Sequence, residues 1–297
     1  MRLDRRGFLT VGGASLVLAA YGSAGAAAGR RRRLQKAVKY GMVQEGDSVL
    51  AKFRLLKELG FDGVEIDAPS GLDLDEVIAA RDATGLLVPG VVDSVHWQKP
   101  LSHPDEKVRA EGRAGLETAL RDASAVGATT VLLVPAVVNA EVPYDDAYRR
   151  SQAEIRTLLP LAKELKVKIA LENVWNQFLL SPLEAARYVD EFESEWIGWY
   201  LDVGNLVNYG WPEQWVRILG SRVLKLDIKE YSRKKRNEEG LWKGFDVKLL
   251  EGDCNWPAVM KALDEIGYEG FATAEIPGGG RDRLADIASR MDRIFAS

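Results

Sequence analysis

Four acidic residues close four successive apolar runs. They are Glu172 in Lys-Ile-Ala-Leu-Glu-Asn, Asp202 in Trp-Tyr-Leu-Asp-Val-Gly-Asn, Asp227 in Val-Leu-Lys-Leu-Asp-Ile-Lys, and Glu275 in Ala-Thr-Ala-Glu-Ile-Pro-Gly-Gly. A charge at the tail of a buried strand is costly unless a partner offsets it. On four strands of one barrel, such charges converge at the C-terminal ends, where barrel enzymes place their chemistry. Four carboxylates meeting there repel one another unless a cation sits among them, so the pattern predicts a divalent-metal site. A metal with a carboxylate on either side suits proton transfer beside a carbonyl: the ion draws off developing charge, and the carboxylates remove and return the proton.

The elements that must position these residues alternate short apolar runs with longer amphipathic ones. Strands are expected at 38–43, 63–67, 87–92, 130–134, 168–172, 197–202, 223–228 and 270–275. Helices are expected at 48–59, 73–84, 105–126, 144–165, 182–192, 212–219, 256–266 and 283–294, several ending at a glycine such as Gly85 or Gly127. Eight strand–helix units over residues 37–297 predict an α/β protein with a closed (β/α)8 TIM barrel as its single domain. A doubly wound open sheet is the competing arrangement, but no Gly-x-Gly-x-x-Gly follows the first strand. Two long loops fall on the presumed catalytic face. Residues 229–253, with Arg233-Lys234-Lys235-Arg236 followed by Trp242 and Phe245, read as a lid or a solvated basic loop. Residues 94–104 hold both histidines of the chain, His96 and His103, beside Trp97.

Residues 1–28 read as an export signal. Asp4-Arg5-Arg6-Gly7-Phe8-Leu9-Thr10 resembles the twin-arginine motif, and Ala24-Gly25-Ala26 offers a small-x-small cleavage site. The apolar stretch between them is too short and too rich in glycine and alanine for the ~20 residues that span a membrane. Residues 29–36 read as a basic linker. The expectation is therefore export by the twin-arginine route to an extracytoplasmic or periplasmic location, with no membrane association after signal removal. Cleavage removes three arginines and one aspartate, so the net charge moves from −4 to −6. That balance argues against nucleic acid as a partner. Cys254, the one cysteine, excludes an intramolecular disulfide.

At Leu171-Glu-Asn-Val-Trp-Asn-Gln-Phe-Leu-Leu-Ser-Pro-Leu-Glu184 and Asp202-Val-Gly-Asn205 the chain resembles the xylose-isomerase-like TIM-barrel family. Within it, the likeness is to the sugar phosphate isomerase/epimerase branch. Gly60-Phe-Asp-Gly-Val-Glu-Ile66, His96-Trp97, Gln214-Trp-Val-Arg-Ile-Leu219 and Ala274-Glu-Ile-Pro-Gly278 carry the likeness along nearly the whole barrel. The resemblance implies one divalent metal held by Glu172, Asp202, Glu275 and a fourth residue. It also implies that Glu172 and Glu275 move protons. The fourth position should be histidine, and here it is Asp227; where epimerases usually have a second histidine, this chain has Asn205. Arg233 falls where epimerases keep a substrate-contacting arginine.

An all-oxygen ligand set favours Mn²⁺ or Mg²⁺, and after them Ca²⁺, over zinc. His96 is expected to bind a sugar hydroxyl or to pack, with a role as substitute nitrogen ligand the lesser reading. Trp97, Trp175, Phe178 and Trp242 either stack on a sugar ring or pack. Glu65, Asn205 and Lys229 complete the expected substrate contacts, Glu65 alternatively serving as a loop anchor. The reading is a metal-dependent sugar isomerase or epimerase working through an enediolate. Export favours a non-phosphorylated carbohydrate. Two alternatives remain: a 3-keto-glycoside lyase or hydrolase at the same site, and a non-catalytic sugar-binding barrel. Multi-zinc phosphodiesterases of this fold use several histidines, which two histidines cannot supply.

Overall fold

The computed structural model describes residues 34–297. The expected signal at 1–28 and residues 29–33 of the expected linker lie outside them. Eight strands pair in parallel in chain order, and the last closes onto the first. They are β1 (Leu34–Lys39), β2 (Gly63–Ala68), β3 (Gly90–Asp93), β4 (Thr130–Leu133), β5 (Lys168–Glu172), β6 (Ile197–Asp202), β7 (Val223–Ile228) and β8 (Gly270–Ala274). Ten helices connect or flank them: α1 (Val49–Glu58), α2 (Leu74–Thr84), α3 (Glu106–Val126), α4 (Tyr144–Leu165), α5 (Pro182–Asp190), α6 (Val203–Val207), α7 (Pro212–Leu219), α8 (Arg233–Glu239), α9 (Trp256–Ile266) and α10 (Arg281–Phe295). This is the closed (β/α)8 barrel expected from the pattern. Among the described residues, no helix is long and apolar enough to cross a membrane.

Local chemistry explains the boundaries. Ser48, Asp73, Asp105 and Ser181 accept backbone N–H bonds at the starts of α1, α2, α3 and α5, replacing partners that a first helical turn lacks. β1 begins at Leu34, so residues 34–36 of the expected basic linker belong to the barrel. It ends at Lys39, and residues 40–42, expected as strand, form a 3-10 turn. β3 begins only at Gly90, because Pro89 has no N–H to give to the ladder.

The main core lies between the strands and the surrounding helices. Inside the barrel, Leu132, Ala170 and Tyr200 form a small apolar layer. Beneath the mouth the filling is charged: Glu65 accepts from Lys225 at 2.7 Å, Lys39 at 2.8 Å and the Tyr200 hydroxyl at 2.8 Å. Gly90 makes room for this network, since a Cβ there would stand 2.6 Å from Glu65 Oε1 and 2.7 Å from Lys225 Nζ. A register shift at Trp199/Tyr200 then aligns the ends of β6 and β7, so that Asp202 and Asp227 sit opposite each other.

Candidate metal and sugar site

The barrel brings Glu172, Asp202, Asp227 and Glu275 together. Each offers one carboxylate oxygen, and these oxygens all lie within 4.8 Å of one another. Glu172, Asp202 and Asp227 are buried at the ends of β5, β6 and β7, while Glu275, one residue past β8, is 35% exposed. Among the described residues, neither oxygen of Asp227 receives a hydrogen bond. A buried carboxylate in that condition is costly unless something else meets it.

Two lysines partly offset the acids. Lys229 Nζ lies 2.7 Å from Asp202 Oδ2 and 2.6 Å from Glu275 Oε2. Lys39, at the end of β1, pairs with Glu65 and stands 3.1 Å from Asp227 Oδ1, outside hydrogen-bond geometry. Counting Lys225, three lysines face five carboxylates (Glu65, Glu172, Asp202, Asp227, Glu275), an excess of two negative charges when all are ionised. Burial and the neighbouring acids raise Glu172 well above the usual carboxylate range. Burial likewise raises Asp227, against the pull of Lys39. At Glu275 burial acts upward too, but Lys229 and Lys39 outweigh it and hold the carboxyl low.

Of the other expected site residues, His96, Trp97, Trp175, Asn205 and Lys229 line the pocket above the acids, and Glu65 and Arg233 do not. His96 is buried and accepts the Val134 N–H at Nδ1; burial pushes its pKa down to about 4, so it is neutral. Its atoms fall outside the group of converging ligand atoms. Asn205 donates its N–H to Asp202 Oδ1 at 2.8 Å and its side-chain amide to Asn173 O at 3.1 Å, fixing the ligand strand. Glu65 belongs to the ion network under the mouth; it touches three donors from β1, β6 and β7 and is neither a sugar contact nor a loop anchor. Phe178 takes the packing role of its two expected ones, against Tyr144, Tyr148 and Tyr188, and does not line the pocket.

The 229–253 segment is neither a free lid nor a solvated basic loop. Its basic run clamps the end of α6: Arg233 donates to Val207 O and Gly210 O, and Arg236 to Asn208 O. Cations at the exposed carbonyls of a helix end are favourable there. This geometry commits the Arg233 guanidinium to backbone carbonyls. Glu230, which the sequence reading passed over, gathers the segment by accepting from Leu250 N, Cys254 N and Trp256 Nε1. Cys254 is buried and donates its thiol to Lys229 O. The clamp sets Trp242 and Phe245 against Trp175, with ring centroids 4.8 and 5.0 Å away. Lys39 and Asn173 were also missed; Asn173 Oδ1 accepts from Asp202 N and Trp199 Nε1.

Residues 53–294 match the family described as xylose isomerase-like TIM barrel. The L-ribulose-5-phosphate 3-epimerase UlaE of Escherichia coli O1:K1 / APEC is 25% identical over 280 residues, which span 89% of this chain and 96% of its own. Among solved structures, 3-keto-D-glucoside 4-epimerase YcjR from E. coli superposes with a TM-score of 0.72 at 18% identity, covering 90% of this chain and 100% of its own. The IOLI protein with a binding zinc atom gives a TM-score of 0.73 at 16% identity, covering 88% and 98%. These two structural likenesses carry the fold.

Proposed function

The chain belongs to the xylose isomerase-like TIM barrel family, and from that premise we propose that it is a divalent-metal-dependent sugar epimerase or isomerase acting on a non-phosphorylated substrate. The observation that carries the reading is the convergence of four carboxylates around Asp227, a buried side chain whose oxygens lack hydrogen bonds. A divalent ion would offset negative charge that Lys39, Lys225 and Lys229 leave uncompensated. Glu172, Asp202, Asp227 and Glu275 would hold it, and their oxygen-only chemistry fits Mn²⁺, Mg²⁺ or Ca²⁺. Bound there, the ion would stabilise negative charge developing on the substrate carbonyl.

The chain's own residues supply the rest. Glu172 and Glu275 come from β5 and from just past β8, three strands apart around the barrel, and would take the proton on one side of the sugar and return one on the other. Lys229 holds Glu275 in place and lies near enough to the acids to donate to a substrate oxygen. His96, neutral and buried, is suited to hydrogen bonding and not to charge pairing.

The pocket also bears on phosphate. UlaE takes its name from a phosphorylated sugar. Here Lys229 is the one cationic side chain among the described lining residues, and it already pairs with two carboxylates. A phosphate would meet Glu172 and Glu275 without the arginine or lysine cluster that such a dianion calls for. The leader motif fits the same choice, because phosphosugars belong to the cytoplasm. Replacing Arg5 and Arg6 with lysine should retain the protein in the cytoplasmic fraction, and unchanged fractionation would refute twin-arginine export.

Proton NMR in D2O, with Mn²⁺- and Mg²⁺-loaded protein and a panel of neutral ketoses, aldoses and 3-keto-glycosides, tests the activity. Deuterium entering a ring carbon together with a new sugar signal is the expected result. Release of a free aglycone would instead support the lyase or hydrolase reading, which uses the same acids for proton abstraction beside a carbonyl and is the second choice. No exchange with any sugar would leave a binding barrel.

A further inference from the structure

Of the four converging acids, Glu172 and Glu275 line a pocket of about 380 Å³. Its upper walls are aromatic. Trp97 comes from the segment after β3 and is 47% exposed; Trp242 comes from the clamped 229–253 segment and is 68% exposed. Both rings line the same pocket as Glu172 and Glu275, and an aromatic in a pocket wall presents a flat apolar face to a ligand. Neither ring is loose decoration. Trp97 stands edge-on to His96 at 5.7 Å, and Trp242 leans on Trp175, whose Nε1 donates to Asn205 O. Each outer ring is thus braced by a residue that reaches the floor of the pocket.

From this arrangement we infer that the site takes a glycoside, with a neutral second ring held at the mouth by Trp97 and Trp242 while the sugar being converted sits at the acids. The inference rests on the sugar reading above and adds the class of substrate. A cavity of about 380 Å³ falls in the range that buries ligands larger than a single ring. A second ring, sugar or aromatic, offers a flat apolar face to an indole, an attraction that requires no charge. Negative charge is disfavoured, because Glu172 and Glu275 line the same pocket and Lys229 is already paired. The Arg233–Arg236 clamp extends the argument to the chain itself, since its hydrogen bonds hold the Trp242 wall in position before any ligand arrives.

Calorimetric titration with three uncharged probes tests this: methyl, phenyl and glucosyl β-D-glucosides. The wild-type protein should bind the phenyl or glucosyl probe about tenfold more tightly than the methyl one. Trp242→Ala and Trp97→Ala should each bring that ratio close to one, and Trp242→Phe should restore much of it. A wild-type ratio near one, or a ratio unchanged in both alanine variants, would overturn the proposal. The titration needs no turnover, so a protein that fails the deuterium test but keeps the ratio would lose the catalytic reading alone. Because Trp242 lies mostly in water, its removal should leave the melting temperature near wild type, which checks that the fold survives.

Discussion

Asp227 carries two buried oxygens without a hydrogen bond, and converting it to histidine tests what they serve. A nitrogen ligand would soften the site, so Asp227→His should raise the retained zinc-to-manganese ratio at least about tenfold after dialysis against an equimolar mixture. An unchanged ratio would remove Asp227 from the ligand set. Glu172→Gln and Glu275→Gln keep shape and lose the ability to accept a proton; each should lower turnover by roughly 10²–10⁴-fold with the barrel intact. Wild-type turnover in either would refute proton transfer by that residue. The convergence of all four acids was legible in the sequence because each ends an apolar run on a separate strand of one barrel. Glu65 gave the same signal at β2 and meant something else, since Lys39 and Lys225 satisfy it inside the barrel. Nothing local distinguishes the two cases. Lys39 went unread because a lysine at a strand end looks like a surface residue until the strands close around it.

β5, β6 and β7 fall where expected because apolar runs mark them, whereas β1 lies four residues earlier than read and β3 starts three residues later. The helices α6 and α8 were not read, being five and seven residues long and too short to carry a periodic signal. Nor can a sequence display the β6–β7 register shift that sets Asp202 beside Asp227, because it arises only from pairing. The end of β3 holds a titrating group of its own. Asp93 is buried, and burial lifts its pKa to about 7, against the hydrogen bond from Val95 N. A raised carboxyl pKa stabilises the fold while the group is protonated, and that contribution is lost as pH rises from about 4 through 7. His96, depressed to about 4, acts oppositely over the same range, its contribution being lost as pH falls. Comparison with Asp93→Asn isolates the first effect. The variant should gain on the wild type by up to about 4 kcal/mol between pH 4 and 8 in denaturant titrations. Parallel curves would show that Asp93 titrates normally.

Taken as one body, the barrel pairs Lys39, Lys225 and Lys229 with the acids inside it, so it tolerates an empty site better than the acids alone would allow. Removing the ion should therefore lower stability without abolishing the fold. An ion at about 100 times its Kd contributes roughly 2.7 kcal/mol, so chelation should lower the melting temperature by about 5–10 °C. Re-addition of Mn²⁺ should restore it, and a melting temperature indifferent to chelator would argue against a resident ion. The mouth of this barrel is roofed on one side by the 229–253 segment, and Cys254 lies directly after it, fully buried, with its thiol on Lys229 O. Burial also pushes that thiol up, so it stays protonated and unreactive while covered. The protein thus contains its own clock. With a single sulfhydryl in the sequence, the rate at which an alkylating reagent marks the chain reads how often local unfolding breaks the Arg233–Arg236 clamp and uncovers Cys254.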